Sequence, residues 1–234
     1  MSGPLSHIKV LDMSRVLAAP GAAQNLADLG ADVIKIEAPN GGDPSRRMTV
    51  LPGKGSTFFE TNNRGVKSVT LNLKSAEGRA ILHKLVARAD IFGQNFRPGA
   101  AEKNGFGWEE LRKINPKLVY VSISGYGTKG PNGHLPGTDS MAQALGGIAE
   151  AYATPGHPMK TGIASVADES TAMLAFGHSG TSSSDLRNMV GPNDVMSSSP
   201  LLSFLLARTP RASPPVTRIA SKVTGAWGLG CVGT

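Results

Sequence analysis

Two aspartates and a few cations are the side chains whose type and spacing could do chemistry. Asp168 follows the irregular run 160–166 and precedes Ala172, Met173, Leu174 and Phe176, the apolar positions of a predicted helix, so it stands near a helix start. A carboxylate there stays ionised because the helix dipole and the free N–H groups favour its charge, and an ionised carboxylate can act as a covalent nucleophile. It can equally be a plain N-cap, the commoner use of an aspartate in that place. Asp139 opens a second predicted helix over 139–145 and carries the same choice, while Glu169 reads as a solvated first-turn acid. Gly125 and Gly127 in SGYGTKGP could let a ligand approach the backbone, although a turn needs glycine as much. His7, His83, His134 and His157 are scattered, without a Ser or Cys at triad spacing. The single Cys231 can form no internal disulfide, and no CxxC or His cluster has metal-ligand spacing, so no metal is expected.

Strand and helix alternate across the first 150 residues that must position these groups. A strand over 8–11 leads through Pro20-Gly21 to a helix carrying Ala22, Ala23, Leu26 and Leu29, which Gly30 ends. A β-branched strand over 32–37 follows, stopped by Pro39, Asn40, Gly41 and Gly42. Residues 44–54 read as irregular and 56–63 as polar around Phe58 and Phe59. The spacing then predicts a strand over 69–73, an N-cap at Ser75, and a helix with Ala80, Ile81, Leu82, Leu85 and Val86 on one face. A strand from Asp90, a helix over 108–114, a strand over 118–122 and the helix over 139–145 complete the series. The expected fold class is α/β, a doubly wound and mostly parallel sheet with its ligand loops at the strand carboxyl ends.

Four stretches are more specific than this pattern: LGADVIKIEAPNGGDPSR at 29–46, NNRGVKSVTLNLKSAEGR at 62–79, QNFRPGAAEKNGFGWEEL at 94–111 and INPKLVYVSISGYGTKGP at 114–131. In this order they resemble the family III coenzyme A transferases, and the resemblance spans residues 8–178. It implies a Rossmann-like large domain and an enzyme that moves coenzyme A from an acyl-CoA thioester to a free carboxylic acid through an aspartyl-acyl anhydride. By the same resemblance Asp168 is the nucleophile and Asp139 an acid near the reacting carbonyl. Racemases of the family carry a histidine where this chain has Thr138, a poor base near neutral pH, so transfer is favoured over racemisation. The implied coenzyme A contacts are Leu71, Asn72, Leu73 and Lys74, then Asn95, Phe96 and Arg97, and Lys103, whose cations suit phosphates. An arginine that follows the KIE strand in some members is replaced by Ala38, which puts an adenine-side contact in doubt. Acyl-CoA, a small carboxylic acid and a second copy in an interlocked homodimer are the implied partners.

The pattern stops at His178. From 179 onward there are ten serines and five prolines, one lysine and no glutamate, which marks 1–178 as an incomplete family domain and 179–234 as a tail foreign to it. A frameshifted or alternatively spliced end would look like this; a serine-rich linker with a short helix over 201–207 is the other reading. Either way the tail is expected to be mostly without order, having too few apolar residues to offset the entropy of ordering it. A chain of this kind could be an active transferase, or an inactive fragment keeping only a coenzyme A binding or dimerising surface. The formal charge of +7 suits an anionic ligand, but no Lys/Arg run and only 5% aromatic residues argue against nucleic acid. The first ten residues lack the marks of a signal or transit peptide and no apolar run reaches membrane-spanning length. An intracellular soluble protein, cytoplasmic or mitochondrial, is expected.

Overall fold

Val10, Ile91, Val119, Val121 and Ile123 alternate along the chain with Leu11, Phe92, Leu118 and Tyr120, and all are buried. Successive strand residues point to opposite faces, so these two sets feed two separate cores on the two faces of one sheet. The computed structural model describes residues 3–127, 130–158, 160–162, 164–181 and 229–232. Strand β1 (Lys9–Asp12) leads into α1 (Ala18–Asp28) and β2 (Asp32–Glu37). A 3-10 turn (Pro44–Arg47), a small hairpin of β3 (Val50–Leu51) and β4 (Gly55–Ser56), and α2 (Thr57–Asn62) follow. Next come β5 (Lys67–Thr70), α3 (Ala76–Val86), β6 (Ile91–Gln94), α4 (Ala100–Lys103), α5 (Trp108–Ile114) and β7 (Val119–Ile123). Helices α6 (Asp139–Leu145), α7 (Ile148–Ala151) and α8 (Val166–Thr181), and strand β8 (Leu229–Val232), complete the described chain.

The sheet order is β5-β2-β1-β6-β7-β8, with the first five strands parallel and β8 antiparallel to β7. This is the expected doubly wound α/β arrangement. Alanines of α1 and Ala175 of α8 cover one face; Leu82 and Val86 of α3, Ala101 of α4 and Leu111 of α5 cover the other. Small residues let α1 and α8 approach closely, since a Cβ on Gly21 would lie 3.0 Å from that of Ala172.

Local chemistry sets the boundaries. Helix α1 ends at Gly30 (φ 99°), whose N–H donates to the Ala27 carbonyl while Ala31 N–H donates to that of Leu26, the paired bonds of a Schellman end. Ser75 caps α3 by accepting from Gly78 N–H at 3.0 Å, as expected. Three expectations need correction. The 44–63 stretch is ordered, because Asp43 caps the 3-10 turn and Ser56 caps α2. Strand β5 ends at Thr70, since Asn72 bends the chain towards the Ser75 cap by accepting from Lys74 N–H and Ser75 N–H. Ile81 and Met173 are 45% and 58% exposed, outside the 78, 82, 86 stripe of α3 and the 172, 175 stripe of α8. The tail supplies β8; the remaining expectation for it, including a helix over 201–207, lies outside the described residues.

One buried interaction ties the first strands to the loop after β2. Lys35 and Asp12 are register partners on β2 and β1, and Lys35 Nζ lies 3.0 Å from Asp12 Oδ2 and 3.1 Å from Asp43 Oδ2, with all three side chains within 2% of full burial. It also donates to the Ser14 carbonyl at 3.0 Å. Burial pulls the Lys35 ammonium down, but the two carboxylates outweigh it and hold it above its ordinary pKa. Replacing Lys35 with Met would strand two carboxylates in a dry site and should cost about 3–5 kcal/mol, read as a lowered urea midpoint. A loss under about 1 kcal/mol would mean that the network does no more than an exposed ion pair.

Candidate functional site

Strand order reverses between β1 and β6, and open α/β sheets hold ligands beyond the strand carboxyl ends at such a point. Here the loops leaving β1 and β6 are bonded to each other. Arg15 N–H donates to Asn95 Oδ1 and Asn95 Nδ2 donates to the Arg15 carbonyl, both at 2.8 Å. The Arg15 guanidinium lies over the Phe96 ring, 4.7 Å from its centroid, and Phe96 packs on Phe106 with centroids 5.4 Å apart. The next residue, Val16, has φ 70°, a left-handed conformation that costs a β-branched residue on the order of 1–3 kcal/mol. Asp43 holds it there by accepting from Val16 N–H at 3.1 Å, and Ser45 N–H and Oγ donate to the same carboxylate at 2.9 and 2.7 Å.

The two aspartates meet at the start of α8. Asp139 Oδ1 accepts from Ala167 N–H at 2.9 Å and from Asp168 N–H at 3.0 Å. Its other oxygen takes the Gln143 amide at 2.5 Å. Gln143, fully buried, also donates to the Ala164 carbonyl at 3.1 Å and accepts from Gly162 N–H at 2.7 Å. Asp139 therefore caps α8 from across the chain, with both of its oxygens engaged. Asp168, the third residue of α8, is not the N-cap. Its carboxyl is pushed up to about 6, first by burial and then by the charges of Asp139 and Glu169. This reverses the expected influence: burial and like charge outweigh the helix dipole. At neutral pH the group is still ionised, but at a cost.

Of the other expected positions, Leu71 is buried and its N–H donates to the Glu37 carbonyl at 2.9 Å, while Asn72, Leu73 and Lys74 run on from it towards α3. Asn95, Phe96 and Arg97 leave β6 at the same sheet edge, and Lys103 closes α4. Lys74, Arg97 and Lys103 are all exposed. Arg79 Nη1 donates to the Leu73 and Lys74 carbonyls at 3.1 Å while its stem lies against Gly105, which joins the Lys74 turn to the segment after α4. Near the Ala38 position, Arg46 folds back onto Glu37 through Nε at 2.8 Å and Nη2 at 2.5 Å. It lies over the Phe59 ring, 3.8 Å from the centroid. Although burial opposes it, Arg46 and Ser68 hold Glu37 down to about 2. Gly125 is required by the backbone, since a Cβ there would overlap Gly137 Cα just before Thr138 and Asp139. Gly127 has φ 72°, a left-handed conformation that favours glycine. Thr138 caps α6, accepting from Met141 N–H at 3.4 Å. Among the described residues no group of His, Cys, Asp or Glu could hold a metal ion, and no helix is long and apolar enough to cross a membrane.

Arg15, Gln143 and the Lys35 network are absent from the sequence expectations. A lysine inside the apolar run VIKIE and an Asp-Gln pair at i, i+4 were available signals; an arginine after a strand is not distinctive.

The family model of CoA-transferase family III matches residues 5–178. An acetyl-CoA:oxalate CoA-transferase of Acetobacter aceti is 44% identical over 175 residues, which is 74% of this chain and 45% of that protein. A human succinyl-CoA:glutarate CoA-transferase is 39% identical over 176 residues, 74% of this chain and 40% of that protein. The chain thus spans less than half the length of these curated relatives. The crystal structure of a CAIB/BAIF family protein from Brucella suis superposes with a TM-score of 0.74 at 34% identity, over 81% of this chain and 51% of that one.

The raised pKa of Asp168 has a measurable sign. Its ordinary value is 3.8 and its folded value about 6, so the stability associated with the protonated form is complete below about pH 4 and is lost as pH rises through about 6. Asp168→Asn removes that loss. The variant should match the parent near pH 3.5 and exceed it at pH 7.5 by roughly 1–2 kcal/mol, after discounting for partial exposure. Denaturation at the two pH values checks this, and a less stable variant at pH 7.5 would mark Asp168 as a carboxylate that supports its helix.

Proposed function

Because the chain belongs to CoA-transferase family III, we propose that it moves coenzyme A between an acyl thioester and a free carboxylic acid, with Asp168 as the nucleophile. The observation that carries this reading is the half-buried carboxylate on the first turn of α8, ionised at neutral pH yet more basic than an ordinary aspartate. Attack by that carboxylate on the thioester carbonyl forms a C–O bond, breaks the C–S bond and leaves an acyl-aspartyl anhydride and the coenzyme A thiolate. The thiolate then attacks the aspartyl carbonyl, releasing the first acid and leaving an aspartyl thioester; the incoming carboxylate displaces the thiolate to form a second anhydride, and the thiolate attacks the new acyl carbonyl, so that the second acid leaves as its thioester and the Asp168 carboxylate is restored. Asp139, which accepts from Ala167 and Asp168 N–H, holds the first turn of α8 and is the acid beside the reacting carbonyl. Thr138, with its hydroxyl spent on the α6 cap, supports transfer over racemisation. Coenzyme A lies along the carboxyl edge, against Leu71 to Lys74, Asn95 to Arg97 and Lys103, an extended track suited to a long anionic ligand. The acceptor is a small acid, as the relatives' names read.

Hydroxylamine tests the chemistry. Added with acyl-CoA, it should trap the activated carboxyl as a hydroxamate on the peptide bearing Asp168, and Asp168→Asn should trap nothing. Label on another peptide, or none while acyl-CoA is consumed, would defeat the nucleophile assignment.

The proposal includes a homodimer. Met141, Leu145, Tyr152, Val166 and Met173, all at or near α6 to α8, are 39–66% exposed, apolar surface that a second subunit would cover. Sedimentation should show concentration-dependent association, weakened by Tyr152→Ser with Met173→Ser. A monomer at every concentration would exclude it.

A further inference from the structure

We propose that Arg15 is an anion-binding residue of the ligand crevice, holding an oxyanion of the substrate pair in the fork of its guanidinium. The inference rests on the coenzyme A reading above and extends it to a residue outside the matched contact segments.

Three observations converge on Arg15. Its place is the switch point itself, on the loop that leaves β1 beside β6. Its backbone is fixed on both sides, by the reciprocal Asn95 bonds and by the left-handed Val16 that Asp43 clamps. Strain of this kind persists only where surrounding structure over-determines it, and it concentrates at ligand clamps. The third observation is how the side chain is held. Stacking on Phe96 fixes the guanidinium plane while consuming none of its N–H donors.

Most other described arginines differ in this respect. Arg46, Arg64 and Arg112 spend donors on Glu37, Asp28 and Glu109, while Arg47 and Arg79 spend them on backbone carbonyls. Among the described residues no carboxylate or carbonyl is paired with the Arg15 guanidinium. A cation anchored through a ring, with its donor edge left over beyond the strand ends at the switch point, is arranged for an acceptor that arrives from outside. The geometry matches a phosphoryl group or a carboxylate, both of which take two parallel N–H bonds. Coenzyme A offers the first and the acid substrate the second.

Calorimetry on the full chain separates these sources, using coenzyme A, a phosphate-free pantetheine thioester and a dicarboxylate such as glutarate as probes. Arg15→Gln keeps the backbone bonds to Asn95 and should melt like the parent. If the oxyanion is a phosphate, Arg15→Gln weakens coenzyme A about tenfold, flattens its salt dependence and leaves the pantetheine thioester unchanged. If it is a carboxylate, the loss moves to the dicarboxylate. Arg15→Lys should recover only part of the loss, since an ammonium has no planar fork. Unchanged affinity for all three probes in Arg15→Gln would overturn the assignment. A parent chain that takes up no coenzyme A, while a Lys74, Arg97 and Lys103 triple alanine variant behaves identically, would instead bring down the coenzyme A reading and this extension with it.

Discussion

The buried contact of Lys35 with Asp12 and Asp43 is the constraint on which the crevice depends. Two carboxylates and one ammonium leave a net negative charge in a dry site, so the network is stable only because its remaining lone pairs are met by hydrogen bonds. Those bonds come from the loop it organises. Ser45 N–H, Ser45 Oγ and Val16 N–H all donate to Asp43, and Asp12 accepts from Ser14 N–H at 2.9 Å as well as from the Ser14 hydroxyl. The charge cluster therefore does not merely join β1 to β2. It converts the end of β1 into a turn whose strained residue and projecting arginine have one arrangement.

The acidic pair at α8 follows a different logic. Asp139 is given three donors, from Ala167, Asp168 and Gln143, whereas Asp168 is given burial and neighbouring negative charge. Burial first, and then the Asp139 and Glu169 charges, hold the Asp168 carboxyl above its ordinary value.

Much of this was legible in the sequence because it follows from local rules. The alternation of buried strand residues, the Gly30 stop, the Ser75 cap and helices α5 and α6 are each set within a few residues. What was not legible depends on pairs far apart in the chain. Asp168 has the composition of a cap, and only the arrival of Asp139 from another helix takes that work away from it. Arg15 looks like a solvated cation until Phe96 is placed beneath it, and the close backbone contact of Gly125 with Gly137 joins residues twelve apart in the chain. The ordered 44–63 region was missed because its elements are held by single side-chain caps, Asp43 and Ser56, and by Ser56 Oγ donating to the Ser45 and Met48 carbonyls. Periodicity has nothing to register there.

The antiparallel strand β8 carries a kinetic consequence. The five parallel strands lie within residues 9–123 and can assemble among themselves, but Tyr120 finds its partner only at Val232. Closing so long a loop comes late, because its entropy must be spent before its contacts repay it. Until then β7 presents a row of free N–H and C=O groups flanked by Val119, Val121 and Ile123, an edge that another chain could pair with. Pairing with β8 covers that edge.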